Sequence, residues 1–230
     1  NFIIIYIMFS LCCVLKLVRV YTIFPVQMKI ALIAKKGGVG KSTLAVLLHE
    51  AFRQAGKRPA LRDWDLQGTS TKALELIRKT ASAAGGGTAA SPADSPAGAP
   101  PDVFLYDTPP NLDHVATAVA VREADVVLVV TSPSPADIWE AEDAVRFVRS
   151  RRKDAPVKLI FNKVRRSTLL GRLVAESARE ISAEPLAPTV SARECYQHAL
   201  AQGWRALDGA AREEILQLAV AILADAKHTE

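Results

Sequence analysis

The sequence has few of the residues that hold a protein together by covalent or metal cross-links. It contains three cysteines, two of them adjacent at Cys12 and Cys13, and no CxxC pair. A disulfide framework and a cysteine-based metal or redox site are therefore excluded from the main body, where Cys195 stands alone. Such usage fits a reducing, cytosolic compartment. Aromatic residues make up only 6% of the chain although half of it is apolar. Packing must then rest on Ala, Leu and Val, as in α/β or α-helical cores. No apolar run reaches the roughly 18–20 residues that a membrane-spanning helix needs. The longest, Phe2–Leu15, is interrupted by Ser10 and followed by Lys16 and Arg19. No basic region precedes it and no small-residue cleavage site follows, so it makes a poor secretory signal.

That first segment stands apart from the rest. The sequence starts at Asn1, and Met28 directly precedes a clean strand pattern, Lys29–Ala34. We read Met28 as the natural start and residues 1–27 as an upstream apolar extension; a short membrane anchor is the competing reading. The net charge of +5 falls to +3 without this segment, because Lys16 and Arg19 are its only charges. A positive balance of this size permits contact with nucleic acid or an acidic surface without demanding it. Residues 28–230 suit one domain with a sizeable core.

From Met28 onward, strand and helix patterns alternate. Strands are expected at 29–34, 58–64, 103–106, 126–130, 157–161 and near 185–190. Helices are expected at 42–55, 69–79, 113–123, 136–152, 168–182, near 193–202 and at 209–227. Residues 80–101 break the rhythm with a Gly-, Ser-, Pro- and Ala-rich stretch, read as a low-complexity loop inside the domain. Strands separated by helices imply parallel pairing through right-handed crossovers. The expected fold is α/β, a mostly parallel sheet with helices on both faces in three layers. Ligands of such sheets sit beyond the carboxyl ends of the strands. The glycine-rich loop, Asp63 and Asp65, Asp107, Ser132 and Asn162 all fall at those ends.

The loop after the first strand reads Lys36-Gly37-Gly38-Val39-Gly40-Lys41-Ser42-Thr43. Its glycines let backbone N–H groups converge on phosphate oxygens without side-chain clash. Lys41 is placed to pair with the β- and γ-phosphates of a nucleoside triphosphate, Ser42 to ligate Mg²⁺, and Thr43 to meet the α-phosphate at the helix N-terminus. Asp63 and Asp65 lie two apart on a strand and so point the same way, although acidic residues there also cap helices. Asp107 ends an apolar strand, where a carboxylate can hold magnesium through water or close a turn. The amide of Asn162 can both donate to and accept from a base edge, and also suits an ordinary turn.

The loop resembles the deviant Walker A box of the ParA/MinD family of P-loop ATPases. Arg62-Asp63-Trp64-Asp65-Leu66-Gln67-Gly68 resembles that family's DxDPQ switch, with Leu66 where proline is usual. Asp107-Thr108-Pro109-Pro110 resembles its Walker B strand and second switch. Val129–Trp139, Phe161-Asn162-Lys163-Val164 and Ser191–Tyr196 resemble segments of single-domain ParA proteins, Asn162 matching the asparagine that contacts adenine. The resemblance implies ATP and Mg²⁺ as ligands, with Gly37, Gly38, Val39, Gly40, Lys41, Ser42, Thr43 and Asn162 binding nucleotide. It implies Lys36 reaching across an ATP-dependent homodimer, Asp65 positioning the attacking water, and Ser42, Asp63 and Asp107 around the metal.

By the same resemblance the chain is expected to be a slow ATP hydrolase stimulated by a partner, ParB-like or a cargo adaptor. Plasmid or chromosome partition, or cargo positioning, would proceed through nonspecific DNA binding in a cytoplasmic, nucleoid-associated location. Arg165, Arg166 and Arg193 are the candidate DNA contacts, although each also suits a solvated face. The C-terminal helix pattern leans acidic and lacks aromatics, which favours core packing over the membrane attachment of MinD-like members. A nucleotide-binding adaptor with little hydrolysis, or a MinD-like membrane-associated ATPase, are the alternatives.

Overall fold

The computed structural model describes residues 27–83 and 100–227. The proposed upstream extension lies outside the described residues apart from Gln27, as does most of the low-complexity loop.

β1 (Met28–Ile33) is followed by α1 (Lys41–Gln54), β2 (Pro59–Asp63) and α2 (Thr69–Ala83). After the low-complexity stretch come β3 (Val103–Asp107), α3 (Val115–Glu123), β4 (Val126–Thr131) and α4 (Pro135–Arg151). β5 (Val157–Phe161) leads to the single turns α5 (Leu169–Arg172) and α6 (Val174–Ser177), then β6 (Glu184–Pro185), α7 (Cys195–Gln202) and α8 (Gly209–Lys227). The six strands form one sheet in the order β2-β3-β1-β4-β5-β6. Every pairing is parallel. The expected three-layer α/β/α fold is therefore the observed one.

β1 and β4 are apolar throughout their centres because both faces of the sheet are covered. Alternate residues divide between two cores. Ile30, Leu32, Leu105 and Leu128 pack with Leu44, Leu48 and Phe52 of α1 and with Ile215, Leu218 and Ile222 of α8. Ala31, Ile33, Tyr106 and Val129 pack on the other face with Val121 of α3 and Val145 and Val148 of α4. The apolar stripe of α8 is thus in the core, as its composition suggested.

Three local expectations change. Helix α2 runs on to Ala83, four residues into the stretch expected to be loop. The helix expected at 168–182 is broken at Leu173, which separates α5 from α6. Gly171 is drawn so tightly to the Arg165 carbonyl that an added Cβ would stand 2.0 Å from that oxygen. This close approach seats α5 on the turn that precedes it. The strand expected near 185–190 is ladder-paired only at Glu184–Pro185. A cis Ala187–Pro188 bond follows, and Val190 then returns to donate its N–H to the Phe161 carbonyl at 2.8 Å.

Leu128 sits at the sheet centre with no exposed surface. Leu128→Ala is expected to destabilise the protein by about 2–5 kcal/mol through lost burial and a residual cavity, measured by urea denaturation.

Candidate functional site

The turn from β1 into α1 is made by Gly40, in the left-handed region at φ 89° and ψ 24°. No side chain caps the helix that follows, and its first turn carries no acidic residue. The free N–H groups and the positive end of the helix dipole are therefore left to an anion from outside. Gly40 is also required sterically, since a Cβ there would lie 2.4 Å from Asn162 Nδ2. α3 differs: His114 Nδ1 accepts the Ala116 N–H at 3.1 Å and closes that helix start.

Lys41 is buried beneath the loop, with its ammonium 3.1 Å from Asp107 Oδ1 and donating also to the Thr108 carbonyl. Asp107 Oδ2 is fully buried and has no hydrogen-bond partner among the described residues. A buried carboxylate oxygen without a partner is costly in an apolar setting. Its position fits a group that a hydrated divalent cation would satisfy, and Ser42 follows Lys41 in the loop.

Lys36 and Lys35 point elsewhere. Lys36 Nζ donates to Asp137 Oδ1 at 2.9 Å, and Asp137 Oδ2 accepts the Ser132 hydroxyl at 2.6 Å. Burial pushes the Asp137 carboxyl up, but the hydrogen bonds from Ser132 and Lys36 outweigh it and hold its pKa below the usual range. The same hydrogen bond raises the pKa of Lys36. Lys35 pairs with Asp143 at 2.6 Å. On the far side of the loop, Asn162 Nδ2 donates to the Val39 carbonyl at 2.8 Å and Lys163 Nζ to the Gly38 carbonyl at 2.5 Å. Lys163 adopts a positive φ of 57°, the one non-glycine residue to do so among those described. Such conformations cluster at functional sites.

Two cavities adjoin here. One of about 370 Å³ is lined by Lys36–Thr43 with Asp65, Gln67 and Pro110. The other, of about 530 Å³, is lined by Thr43, Leu44, Asn162, Arg165, Arg193 and Tyr196, among others. They share Gly40, Thr43, Lys163 and Gln197. The trough is polar at the phosphate loop and mixed beyond it, where Leu44, Leu47 and Tyr196 lie among Asn162, Arg165 and Arg193, and it is in the size range of small-ligand sites.

Asp65 thus reaches the trough, whereas Asp63 is engaged locally. Its two oxygens accept the N–H groups of Asp65 and Thr71, each at 3.0 Å, which ties the turn to the start of α2. Arg193 also has neighbours other than those expected. Its guanidinium lies 3.8 Å from Glu214 and 4.0 Å from Asp208 in the trough wall. Arg165 and Arg166 are exposed and without an acidic partner among the described residues. Sequence reasoning gave no role to Asp137 or Glu214. Asp137 lay within a segment that carried the resemblance. Glu214 accepts hydrogen bonds from Ser191 and Tyr196, and only the packing of α8 brings these together.

Residues 30–204 match the model of the CobQ/CobB/MinD/ParA nucleotide-binding domain. The chain belongs to this family. Its ParA/MinD resemblance therefore holds, and the family consists of nucleotide-binding ATPases. The chain is 27% identical over 176 residues to maintenance of carboxysome distribution protein A of Halothiobacillus neapolitanus, spanning 73% of this chain and 81% of that protein. It is 34% identical over 121 residues to the protein of the same name from Gloeobacter kilaueensis, spanning 47% and 51%. Among solved structures, Cyanothece apo McdA matches with a TM-score of 0.67 at 17% identity, covering 86% of this chain and 99% of that one. A Borrelia burgdorferi plasmid partition protein bound to AMPPNP matches at 0.66 and 18%, with 86% and 99% covered. MinD from Pyrococcus horikoshii with Mg-ADP matches at 0.68 and 15%, with 86% and 97% covered. At these identities the structural matches establish the family's fold.

Two outcomes are expected. Gly40→Ala would strain the left-handed turn and press on Asn162, so nucleotide binding measured by calorimetry should be lost. The second concerns acid. The folded-state pKa of Asp137 is depressed, so its contribution is fully present above the unfolded value of about 3.9 and lost as pH falls through the folded value. The stability difference between the wild type and Asp137→Asn should therefore shrink as pH drops from about 5 to 2, followed by urea denaturation.

Proposed function

We propose that the protein is an ATP-dependent, dimerising positioning ATPase that distributes a cargo by binding DNA without sequence preference. One observation carries the reading. The phosphate loop holds two lysines with opposite assignments: Lys41 is buried against Asp107, and Lys36 is half-exposed and turned outward. A monomeric hydrolase needs the first. The second suits a nucleotide shared between two protomers.

The triphosphate would lie along the trough, with its phosphates over the uncapped start of α1 and its base toward Asn162. Lys41 would exchange Asp107 for the β- and γ-phosphates. Ser42 directly, and Asp107 through water, would hold Mg²⁺, which when bound neutralises part of the phosphate charge. Asp63 would support this set only by giving up a backbone hydrogen bond. Asp65 would orient the water that attacks the γ-phosphate, and Lys41 with the partner protomer's equivalent of Lys36 would stabilise the developing charge. Lys36 must leave Asp137 to do so, which couples dimer formation to release of that ion pair. Arg165 and Arg166 would meet DNA phosphates. A cargo adaptor or ParB-like protein would stimulate hydrolysis and release, in a cytoplasmic, nucleoid-associated cycle. The relationship to maintenance of carboxysome distribution protein A supports cargo positioning over plasmid partition.

A nucleotide-dependent adaptor with little hydrolysis is the second reading, favoured by Leu66. That residue is 94% exposed where the family's proline usually stiffens the switch.

ATP turnover, dimerisation and DNA binding test the proposal together. Asp65→Ala should lower kcat by about 100-fold or more with ATP still bound. Lys36→Ala should bind ATP but neither dimerise nor bind DNA. DNA binding that persists in Lys36→Ala, or equally without ATP, would sink the dimer switch. Absence of turnover with DNA and partner present would favour the adaptor.

A further inference from the structure

Building on the reading of Asp65 as the water-positioning residue, we propose that Trp64 is the positioning residue of Asp65. Its ring, stacked on Tyr106, fixes where Asp65 stands relative to Asp107.

The two rings lie 4.7 Å apart between centroids and 13° from parallel. The Trp64 N–H donates to the Asp107 carbonyl at 2.8 Å, which carries the β2–β3 ladder one residue beyond the strand. The Tyr106 hydroxyl donates to Glu123 Oε2 at 3.2 Å and so ties the stack to α3. Two residues upstream, the Arg62 guanidinium lies 4.8 Å from the Phe104 ring centroid and 5.9 Å from that of Tyr106. Side chains alternate along a strand. The aromatic ladder therefore occupies the face toward α3 and α4, and the register pair Asp63 and Asp107 lies on the other. Each ring directly precedes a carboxylate of the site, Trp64 before Asp65 and Tyr106 before Asp107. One stack thus sets the spacing of both.

Little else does so. β2 is the edge strand and pairs with β3 alone. Beyond Asp65, Leu66 is almost wholly exposed and makes no anchor. The hydrogen bonds from Asp65 to Asp63 and from Gln67 to Asp65 lie within the segment and would move with it; the two tethers that reach outside it, from the Trp64 N–H to the Asp107 carbonyl and from the Thr71 N–H to Asp63, hold the chain upstream of Asp65. Lys41 and the phosphate loop belong to β1 and α1, on the other side of β3. Loosening the stack should therefore displace Asp65 and leave the phosphate-binding groups where they are.

The test uses the full chain and measures kcat alongside nucleotide Kd. Trp64→Leu keeps an apolar side chain and removes the ring; it should lower kcat by about 10–100-fold, as expected for a displacement near 1 Å, with Kd within about threefold. Trp64→Phe restores a ring and should return kcat to within about threefold of the wild type. Tyr106→Leu should match Trp64→Leu, and the double variant should be no worse than either. Wild-type kcat in Trp64→Leu beside a dead Asp65→Ala would overturn the proposal, as would Trp64→Phe performing no better than Trp64→Leu. Loss of Kd and kcat in equal proportion would also overturn it. Undiminished turnover in Asp65→Ala, or none in the wild type, would instead fell the hydrolytic reading. Amide hydrogen exchange then decides the positioning separately. Exchange at residues 64–68 at least about tenfold faster in Trp64→Leu supports it, and unchanged exchange overturns it.

Discussion

All six strands run in one direction, and that constraint creates the site. Parallel pairing puts every carboxyl end on one edge of the sheet, with β1 between β3 and β4. The loop leaving β1 is then flanked by Asp107 at the end of β3, Ser132 just after β4 and Asn162 just after β5. No local sequence feature brings these residues together. They meet because the buried apolar pattern of the central strands fixes their register.

Electrostatics at this edge follows a common pattern. Each lysine of the loop rests on an internal carboxylate: Lys41 on Asp107, Lys36 on Asp137 and Lys35 on Asp143. The start of α1 has no such partner. A nucleoside triphosphate entering the trough would meet an open helix terminus and would compete with carboxylates for the lysines. The pairs differ in cost. Lys41–Asp107 is buried, so separating it without a substitute leaves an uncompensated charge. Lys36–Asp137 is partly solvated and can exchange partners more freely. That difference suits a loop whose inner lysine stays in its own site and whose outer lysine changes neighbours.

Much of this was legible because its signals are local. β4 is an apolar run up to Thr131, and β1 and β5 are apolar but for Lys29 and Lys158 near their starts. The phosphate loop is written in glycine spacing, and Asp65, Asp107 and Asn162 follow from their places at strand ends. What sequence reading missed depends on contacts between distant segments. Helix 168–182 has suitable periodicity, but the fold divides it at Leu173, with α5 packed closely on the turn at Arg165. Asp63 looks equivalent to Asp65 until its oxygens are found on two backbone N–H groups. Arg193 looks like a surface cation until α8 sets Glu214 beside it.

The sequence by itself determined the α/β order, the phosphate-binding turn and the residue types available at each strand end, because periodicity and glycine placement act over a few residues. Only the tertiary structure decided which of those residues face the trough, where each lysine rests, and that Trp64 lies against Tyr106. Those outcomes depend on register and on packing between elements far apart in the chain, and no pattern along the sequence encodes a distance across the sheet.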